Sequence, residues 1–179
     1  MISYADTVVT KGWWGYWRGW TMRPNVFYFA CGARMRIQSP QGSGDDTAAN
    51  GLQLKYCHKA NWAAQLFQLS WAGNWGGWTY MKMCPKGKYI YSMNARLEFM
   101  KGLGDDTSLN GLMVSCRYPN GSYPNSLMIH PGYWGAWKGW SKIASGYHVC
   151  GTNVRYENPK GRWDDTALNG LALKLCSWV

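Results

Sequence analysis

The sequence contains one set of motifs three times, and this repetition limits the possible fold more than any other feature. Each set has a Trp-Gly segment, a Cys, an Arg, and an Asp-Asp-Thr run that ends in Asn-Gly and leads to a second Cys. The runs begin at Asp45, Asp105 and Asp164, so they are 60 and 59 residues apart. Such a period predicts three equivalent units within a single domain, residues 1–179. The repeats cover about 13–57, 71–116 and 133–176.

The residue types within each repeat favour strands and turns over helices. Residues 52–54 and 171–175 alternate between large apolar side chains and other residues, as half-buried strands do. The Asp-Asp-Thr side chains can bond nearby backbone amides, and Asn-Gly tolerates positive φ, so both predict turns. No segment has an apolar stripe with the 3.6-residue helical period. We therefore expect each repeat to form an antiparallel sheet of three or four strands.

A sheet of this size cannot bury its apolar face without a partner. Three such sheets can do so if they face inward around a pseudo-threefold axis, with aromatic and aliphatic side chains between them. With 179 residues, 46% of them hydrophobic, the chain is large enough for such a core. A six-stranded sandwich and a propeller are the alternatives, although three blades are fewer than propellers normally have.

The chain is strongly basic: 19 Lys and Arg residues stand against nine Asp and Glu residues, a formal net charge of +10. This charge attracts polyanions such as acidic glycans, nucleic acids or anionic lipids, although it can also serve solubility alone. The basic residues are spread along the sequence and form no recognisable nucleic-acid-binding module. The uncharged span 60–81 contains Asn, Gln and Gly residues, so we do not predict a transmembrane segment there.

Six Cys residues without a Cys-x-x-Cys pair indicate disulfides, and hence an oxidising compartment. Six cysteines allow fifteen pairings, so the choice of one bridge per repeat rests on the repeat symmetry alone. Cys116 follows its Asn-Gly by five residues, whereas the other two second cysteines follow theirs by six, which is an irregularity in that symmetry. The predicted bridges are Cys31–Cys57, Cys84–Cys116 and Cys150–Cys176. In addition, Asn120 begins an Asn-Gly-Ser sequon and is the predicted glycosylation site.

The carboxylates allow a structural and a catalytic interpretation. Glycoside hydrolysis needs two carboxyls at one bond, but adjacent Asp residues on a strand point to opposite faces. We therefore favour a structural role, in which one Asp of each pair caps a turn and the other binds the Arg of its repeat. Glu98 and Glu157, two residues after their repeat Arg, remain the catalytic candidates; the first repeat has Arg36 at the matching position. The structural set is Asp45, Asp46, Asp105, Asp106, Asp164, Asp165, Arg34, Arg96 and Arg155.

Thirteen Trp residues exceed what one small core requires, so some indole rings should be exposed. Exposed rings can stack on the flat faces of sugars, whereas buried rings pack in the core. Trp residues outside the repeat pattern are the better binding candidates, because the scaffold does not require them, although core packing is favoured for any single one. These candidates are Trp13, Trp62, Trp71, Trp163 and Trp178.

These motifs resemble those of the vitelline membrane outer layer protein family. The resemblance rests on the Asp-Asp-Thr-Ala-Leu-Asn-Gly run ending at a Cys, the Cys-Pro-Lys-Gly-Lys-Tyr stretch beginning at Cys84, and the Trp-Gly segments. It covers the chain from about Trp13 to Cys176. The resemblance implies an all-β fold, a type I β-prism of three Greek-key antiparallel sheets around a pseudo-threefold axis. It also implies an extracellular protein linked to N-acetylglucosamine oligomers.

We expect a secreted, extracellular structural or barrier protein of an egg coat or mucus-like layer, which associates with carbohydrate without catalysis. Its expected partners are glycans or glycoproteins of that coat, including acidic ones, and not nucleic acid; self-association is left open. One alternative is an enzyme that transfers or hydrolyses N-acetylglucosamine oligomers, and another is a cationic antimicrobial or membrane-active protein. No cofactor is expected, and the three His residues lack metal-ligand spacing, so no metal site is predicted.

Overall fold

The computed structural model describes residues 4–40, 49–99, 109–158 and 167–179. Within these ranges the protein consists of β-strands and connecting segments and has no α-helix, in agreement with the strand and turn patterns. Accordingly, none of the described segments is a helix that could span a membrane. The strands are β1 (Tyr4–Lys11), β2 (Tyr16–Met22), β3 (Tyr28–Ile37), β4 (Ala49–His58), β5 (Gln65–Ala72), β6 (Gly77–Trp78), β7 (Lys82–Met83), β8 (Tyr89–Leu97), β9 (Leu109–Arg117), β10 (Asn125–His130), β11 (Ala136–Trp140), β12 (Tyr147–Tyr156) and β13 (Leu168–Ser177).

The strands form three antiparallel sheets, each built around one long central hairpin. Sheet I has the order β1-β13-β12-β2, sheet II the order β5-β4-β3-β6 with β7 also paired to β3, and sheet III the order β10-β9-β8-β11. In sheets II and III, three consecutive strands are followed by a fourth that returns beside the first, which is the Greek-key connection. Sheet I has the same arrangement, with β1 and β2 flanking the hairpin of β12 and β13. The predicted β-prism of three Greek-key sheets is confirmed.

The core lies where the inner faces of the three sheets meet. Leu52, Leu112 and Leu171 each follow the glycine of an Asn-Gly pair, and all three are fully buried in one cluster. That cluster takes side chains from all three sheets, so no sheet has a core of its own. Burial of each such leucine contributes about 1.5–3 kcal/mol. The three sheets are therefore expected to fold as one unit.

Each sequence repeat contributes to two sheets, not to one as the sequence pattern suggested. Residues 13–57 contain β2 of sheet I together with β3 and β4 of sheet II, and the other two repeats are divided in the same way. The Trp-Gly segment supplies the fourth strand of one sheet, and the Cys, Arg and Asn-Gly that follow supply the central hairpin of the next. Sequence order alone does not specify the edge at which a strand pairs, and this is why the pattern was misleading.

Two of the three disulfides lie within a central hairpin, and within the described residues no cysteine is left free. The third, Cys84–Cys116, joins the segment after β7, whose Cys84 amide donates to the Cys31 carbonyl of sheet II, to β9 of sheet III. The three disulfides join the pairs that the repeat symmetry suggested, and such bridges typically contribute about 2–4 kcal/mol each. The irregularity at Cys116 has a structural counterpart, because Cys116 pairs in register with Ile90, whereas Cys57 pairs with Phe29. The position equivalent to Cys57 in sheet III is Arg117. The bridges are Cys31–Cys57, Cys84–Cys116 and Cys150–Cys176.

Aromatic side chains close one end of the prism axis. Phe29, Tyr89 and His148 occupy equivalent positions in the three sheets, and their ring centroids are 6.2–6.3 Å apart in all three pairs. Trp178 covers this triangle, with its ring centroid 4.5 Å from that of Phe29 and 4.7 Å from that of Tyr89. All three positions lie near the start of the first central strand of their sheet. We call this the closed end; the central strands β3, β8 and β12 run from it to the opposite end.

Candidate functional site

At the end opposite the closed end, each sheet carries one short loop between its third and fourth strands. The loops are residues 12–15 in sheet I, 73–76 in sheet II and 132–135 in sheet III, and each has the sequence Gly-x-Trp-Gly. We call them the Trp-Gly loops. The third and fourth strands lie on opposite sides of the central hairpin. Each loop therefore crosses the ends of the two central strands.

One arginine of the first central strand fixes each Trp-Gly loop. Arg155 donates three hydrogen bonds, from Nε, Nη1 and Nη2, to backbone carbonyls of loop 12–15 at 3.0, 2.7 and 3.1 Å. Arg36 makes the same three contacts with loop 73–76, and Arg96 binds loop 132–135 and the carbonyl just before it. Hydrogen bonds from a charged donor are about twice as strong as neutral ones. These arginines therefore hold the loop backbones in one conformation.

The repeat arginine of sheet II is Arg36, not Arg34 as the sequence comparison suggested. The strand register identifies the equivalent arginine, because in each sheet this residue pairs with the second Trp of the Trp-Gly segment. The pairs are Arg36–Trp78, Arg96–Trp137 and Arg155–Trp17. Arg34 instead donates from Nε to the Gln53 side chain at 2.6 Å, and its guanidinium lies 4.9 Å from the ring centroid of Trp78. In sheet II, the residue two positions after Arg36, and therefore equivalent to Glu98 and Glu157, is Gln38.

The second glycine of each loop is required for two reasons. Gly15, Gly76 and Gly135 have φ angles of 77°, 83° and 87°, in the left-handed region that other residues rarely adopt. A Cβ atom at these positions would also lie 2.2–2.4 Å from the backbone of the residue after the repeat arginine. Each loop therefore lies directly on the end of the first central strand.

The Asn-Gly pairs lie within the second central strand, so their prediction as tight turns is wrong. The carbonyls of Asn50 and Asn169 accept hydrogen bonds from the first glycine of their loops at 2.6 and 2.5 Å, and the Asn110 side chain accepts one from its loop at 3.3 Å. In sheets I and II the following glycine makes room for the repeat arginine and the Trp that it pairs with, whereas Gly111 makes room for the backbone of Pro131 and His130. A Cβ at Gly51 or Gly170 would lie 3.0–3.2 Å from both side chains. Each Asn-Gly pair thus packs against its Trp-Gly loop and binds the loop backbone.

Each loop exposes the indole ring at its third position although its backbone is fixed. Trp14, Trp75 and Trp134 are 44%, 54% and 45% exposed. Exposure of large aromatic rings leaves apolar surface in water, which is unfavourable unless a partner covers it. The same exposure occurs at three equivalent positions on one end of the prism. These three rings are the strongest candidate for a binding surface.

The loop of sheet I has the richest set of side chains. Trp13 is 63% exposed and Tyr16 is 79% exposed, whereas the other two loops have at most one further aromatic residue at these positions. A cleft of about 420 Å³ lies here. Its lining includes Trp13, Trp14, Tyr16, Arg155, Glu157 and Asn158. The cleft combines flat aromatic faces with a carboxylate, an amide and a cation.

Arg18 connects this cleft to sheet II. Its Nη2 donates to Asn158 Oδ1 at 2.6 Å and to the Tyr156 carbonyl at 3.1 Å. Its guanidinium lies 4.9 Å from the ring centroid of Trp71 and 5.4 Å from that of Tyr156. Asn158 is therefore held by a cation that is itself packed against two aromatic rings.

A histidine supports the loop of sheet III. The Gly132 amide donates to His130 Nδ1 at 3.0 Å, so this nitrogen accepts and carries no proton. Burial lowers the pKa of His130, and Lys82 adds to this effect, although the Asn110 carbonyl opposes it. The His130 ring also lies 5.5 Å from the ring of Tyr133. His130 is thus a neutral structural support of the loop at pH 7.

Of the five Trp residues predicted as binding candidates, the described ones are mostly packed. Trp62 donates from Nε1 to the Lys88 carbonyl at 3.2 Å, Trp71 packs against Tyr156, and Trp178 covers the closed end. Only Trp13 is largely exposed, and Trp163 lies outside the described residues. The preference for positions outside the repeat was misleading. The two glycines of each loop around Trp14, Trp75 and Trp134 were the available signal, because a short loop with two glycines leaves much of its ring uncovered.

The remaining predicted residues do not converge on one bond. Glu98 and Glu157 follow equivalent strands of sheets III and I, and each lies next to its own Trp-Gly loop. All six Asp residues of the Asp pairs lie outside the described residues, so their structural role stays a prediction. No group of three potential metal ligands occurs in the described part of the chain. Asn120 is exposed, and its Oδ1 accepts hydrogen bonds from the Ser122 amide and hydroxyl at 3.0 and 2.6 Å.

Comparison with solved structures supports the fold assignment. A mannose-binding jacalin-related lectin from Ananas comosus matches with a TM-score of 0.56 and 11% identity, and the match covers 97% of this chain and 96% of the lectin. Calsepa lectin, solved in complex with a biantennary N-glycan, matches with a TM-score of 0.58 and 10% identity over 98% of this chain and 96% of the lectin. At such identities the similarity concerns the β-prism fold alone.

Sequence comparison gives the family. The human vitelline membrane outer layer protein 1 homolog is 34% identical over a 172-residue alignment, which covers 94% of this chain and 81% of the human protein. The model of the family Vitelline membrane outer layer protein I (VOMI) matches residues 5–178. The match includes all three repeats and all three Trp-Gly loops. The chain therefore belongs to the vitelline membrane outer layer protein I family.

Proposed function

We propose that this protein binds carbohydrate through its Trp-Gly loops and acts, without catalysis, as a secreted structural protein of an extracellular coat or mucus-like layer. The observation that carries the proposal is the exposure of Trp14, Trp75 and Trp134 at equivalent positions on backbones that the repeat arginines hold fixed. Indole faces pack well on the apolar faces of pyranose rings, and a fixed loop loses little entropy when it binds.

The cleft of sheet I is the preferred first site for a sugar. Trp13, Trp14 and Tyr16 offer aromatic faces, and Asn158 and Glu157 offer groups that can bind sugar hydroxyls. Binding sites for small ligands typically combine an apolar surface with a few such polar groups. The loops of sheets II and III offer fewer side chains. We therefore expect them to add avidity to a polymer, not to bind a single sugar tightly.

Two kinds of observation support the extracellular part of the proposal. Three disulfides are typical of proteins that fold in an oxidising compartment. The relatives are named for the outer layer of the vitelline membrane, which is an egg coat.

The net charge of +10 would retain the protein among acidic glycans of such a layer. The solved β-prism lectins that bind mannose or N-glycans support the carbohydrate part.

The proposal is non-enzymatic because the described carboxylates do not form a catalytic pair. Glycoside hydrolysis needs two carboxyls within about 5–10 Å of each other on either side of one bond. Glu98 and Glu157 are instead repeated, one at each of two separate loops, and Asp6 binds Lys174 at 2.7 Å. Incubation with N-acetylglucosamine oligomers followed by mass spectrometry should therefore give no hydrolysis or transfer products.

A glycan array tests the binding proposal, using N-acetylglucosamine oligomers, mannose-rich glycans and complex N-glycans at low and physiological salt. We expect retention that falls about tenfold in a Trp14→Ala, Trp75→Ala, Trp134→Ala triple variant, corresponding to about 1.4 kcal/mol. Tyr80→Ala is the matched control, because Tyr80 is 92% exposed but lies outside the loops. The proposal fails if no glycan is retained, or if the triple variant binds as the original protein does. Dye release from anionic vesicles without glycan retention would favour the membrane-active alternative.

A further inference from the structure

The outer face of sheet III contains a trough. It has a volume of about 560 Å³ and crosses β9 and β8 between the start of β10 and the end of β11. Its principal lining residues are Tyr91, Ser115, Ser126, Trp140, Lys142 and Ile143. This trough lies away from the Trp-Gly loops, none of whose residues line it.

In sheets I and II, a methionine side chain occupies the corresponding space and packs against a glycine of the first central strand. In sheet II, Met83 pairs with Gly32, and its sulfur would lie 2.5 Å from a Cβ at that glycine. In sheet I, Met22 lies on Gly151 in the same way, at 2.6 Å. Lys142 is the corresponding residue of sheet III, since it lies two residues after Trp140 as Met22 does after the equivalent Trp20. Its side chain is exposed, and Ser92 stands where the other two sheets have the glycine, so no methionine packs at this place.

A second difference between the sheets, a serine in place of a lysine, concerns the aromatic ring of Trp140. The register places Lys174 of sheet I and Lys55 of sheet II where sheet III has Ser115. Lys174 Nζ lies 4.4 Å from the ring centroid of Trp20, and Lys55 Nζ lies 4.7 Å from that of Phe67. A serine is too short to cover a ring in this way. Trp140, which is equivalent to Trp20, is therefore open to the trough.

The floor of the trough is polar, and its rim is positively charged. The Ser115 and Tyr91 hydroxyls are hydrogen-bonded at 3.0 Å, and the Ser115 hydroxyl also lies 3.3 Å from the Asn125 carbonyl oxygen. Arg117 is buried and does not line the trough, but its guanidinium lies 4.1 Å from the ring centroid of Tyr91, on the position that holds a cysteine in the other two sheets. Lys142 is the cation at the rim, and no described carboxylate lines the trough. The site therefore presents an aromatic face, hydroxyl groups and positive charge together.

From this we infer a second binding site, separate from the Trp-Gly loops, for a sugar residue that carries one negative charge. The apolar face of the pyranose would pack on Trp140, its hydroxyls would bond Tyr91 and Ser126, and its carboxylate or sulfate would pair with Lys142. The inference relies on the proposed function for the class of ligand, a glycan. It goes beyond the proposed function because it specifies a charged sugar and a binding location away from the Trp-Gly loops.

NMR titration of the 15N-labelled protein with N-acetylneuraminic acid tests this site, with N-acetylglucosamine-6-sulfate as the sulfated probe and N-acetylglucosamine as the neutral one. Both anionic sugars should shift resonances of β8, β9 and β11 at the trough. Comparison of their affinities shows whether a carboxylate or a sulfate is preferred. Lys142→Gln should weaken anionic binding at least fivefold without affecting the neutral sugar. Lys142→Met and Ser115→Lys, which introduce the residues of the other sheets, should abolish it.

Controls separate this site from the loops and from general charge effects. Lys86→Met removes an exposed lysine outside the trough and should leave binding unchanged. Resonances of the three Trp-Gly loops, followed in the same spectra, report sugar bound at the loops separately from sugar bound in the trough. The inference is wrong if neither anionic sugar shifts the trough resonances, or if Lys142→Met binds as the original protein does while its thermal unfolding is unaltered. It is also wrong if Lys86→Met weakens binding equally.

Discussion

At the scale of single residues, the three repeats let the same position be compared in three surroundings. Gly135 and Gly139 both have positive φ, 87° and 96°, but only Gly135 touches the main chain. A Cβ there would lie 2.2 Å from the Leu97 carbonyl oxygen, whereas a Cβ at Gly139 meets nothing within 4 Å. The first glycine is therefore needed for both conformation and space, and the second for conformation alone.

This difference predicts unequal effects of two alanine substitutions. Gly139→Ala should cost about 1–2 kcal/mol of unfolding free energy, the cost of left-handed backbone. Gly135→Ala should cost at least 2 kcal/mol more, because the loop must also move away from the end of β8. Urea unfolding of both variants measures the difference. Equal losses would mean that the loop does not lie against the strand as described.

At the scale of the elements, the Trp-Gly loop and the strand end below it form one unit, which Arg36 holds together in sheet II. Arg34 lies two residues earlier on the same strand, so the two arginines are a matched pair. Arg36→Lys should cost about 1.5–3 kcal/mol, because a lysine cannot bind three carbonyls at once. Arg34→Lys should cost less than about 0.5 kcal/mol, since it replaces one hydrogen bond to Gln53 and one ring contact with Trp78 at a partly exposed site.

Hydrogen exchange gives the sharper readout of this pair. The amides of residues 73–76 should exchange faster in Arg36→Lys than in the original protein, and Arg34→Lys should leave them unchanged. If both variants exchange alike at these amides, Arg36 does not hold the loop.

The sequence could predict the elements better than their assembly. The motif period predicted three equivalent units, and the symmetry suggested the three disulfides. Two facts could not be read from the sequence: that β2 pairs with β12, and that Asn50-Gly51 continues a strand. Both depend on contacts between residues distant in sequence, such as Arg155 with loop 12–15. Exposure of Trp14 was missed for the same reason, because an indole within a repeat is equally consistent with core packing.

At the scale of the whole molecule, the three sheets meet on an axis whose closed end contains a buried histidine. His148 has no exposed surface, and neither ring nitrogen has a hydrogen-bond partner of good geometry within the described residues. Burial lowers the pKa of His148 to about 3, and Arg117 adds to this effect, although the nearby Tyr118 backbone opposes it. The equivalent residues Phe29 and Tyr89 carry no charge at neutral pH. His148 is therefore neutral in the folded protein.

This burial predicts a loss of stability in acid. The unfolded chain takes up a proton at His148 near pH 6.5 and the folded chain only near pH 3. The stability is therefore fully present above about pH 6.5 and falls as the pH is lowered toward 3, by up to about 1.4 kcal/mol per pH unit. His148→Phe, which introduces the residue of sheet II, should remove this part of the slope. His130 contributes equally to both proteins, so the difference in slope between pH 6.5 and 4 isolates His148. Parallel slopes would contradict the prediction.

The central claim is that the prism presents exposed indole rings on fixed loops at one end and that carbohydrate binds there. A crystal structure of the protein with the neutral oligosaccharide best retained on the array tests this claim most directly. We expect a pyranose face within about 4 Å of the ring of Trp14, Trp75 or Trp134. A well-ordered oligosaccharide that contacts none of the three Trp-Gly loops would contradict the claim.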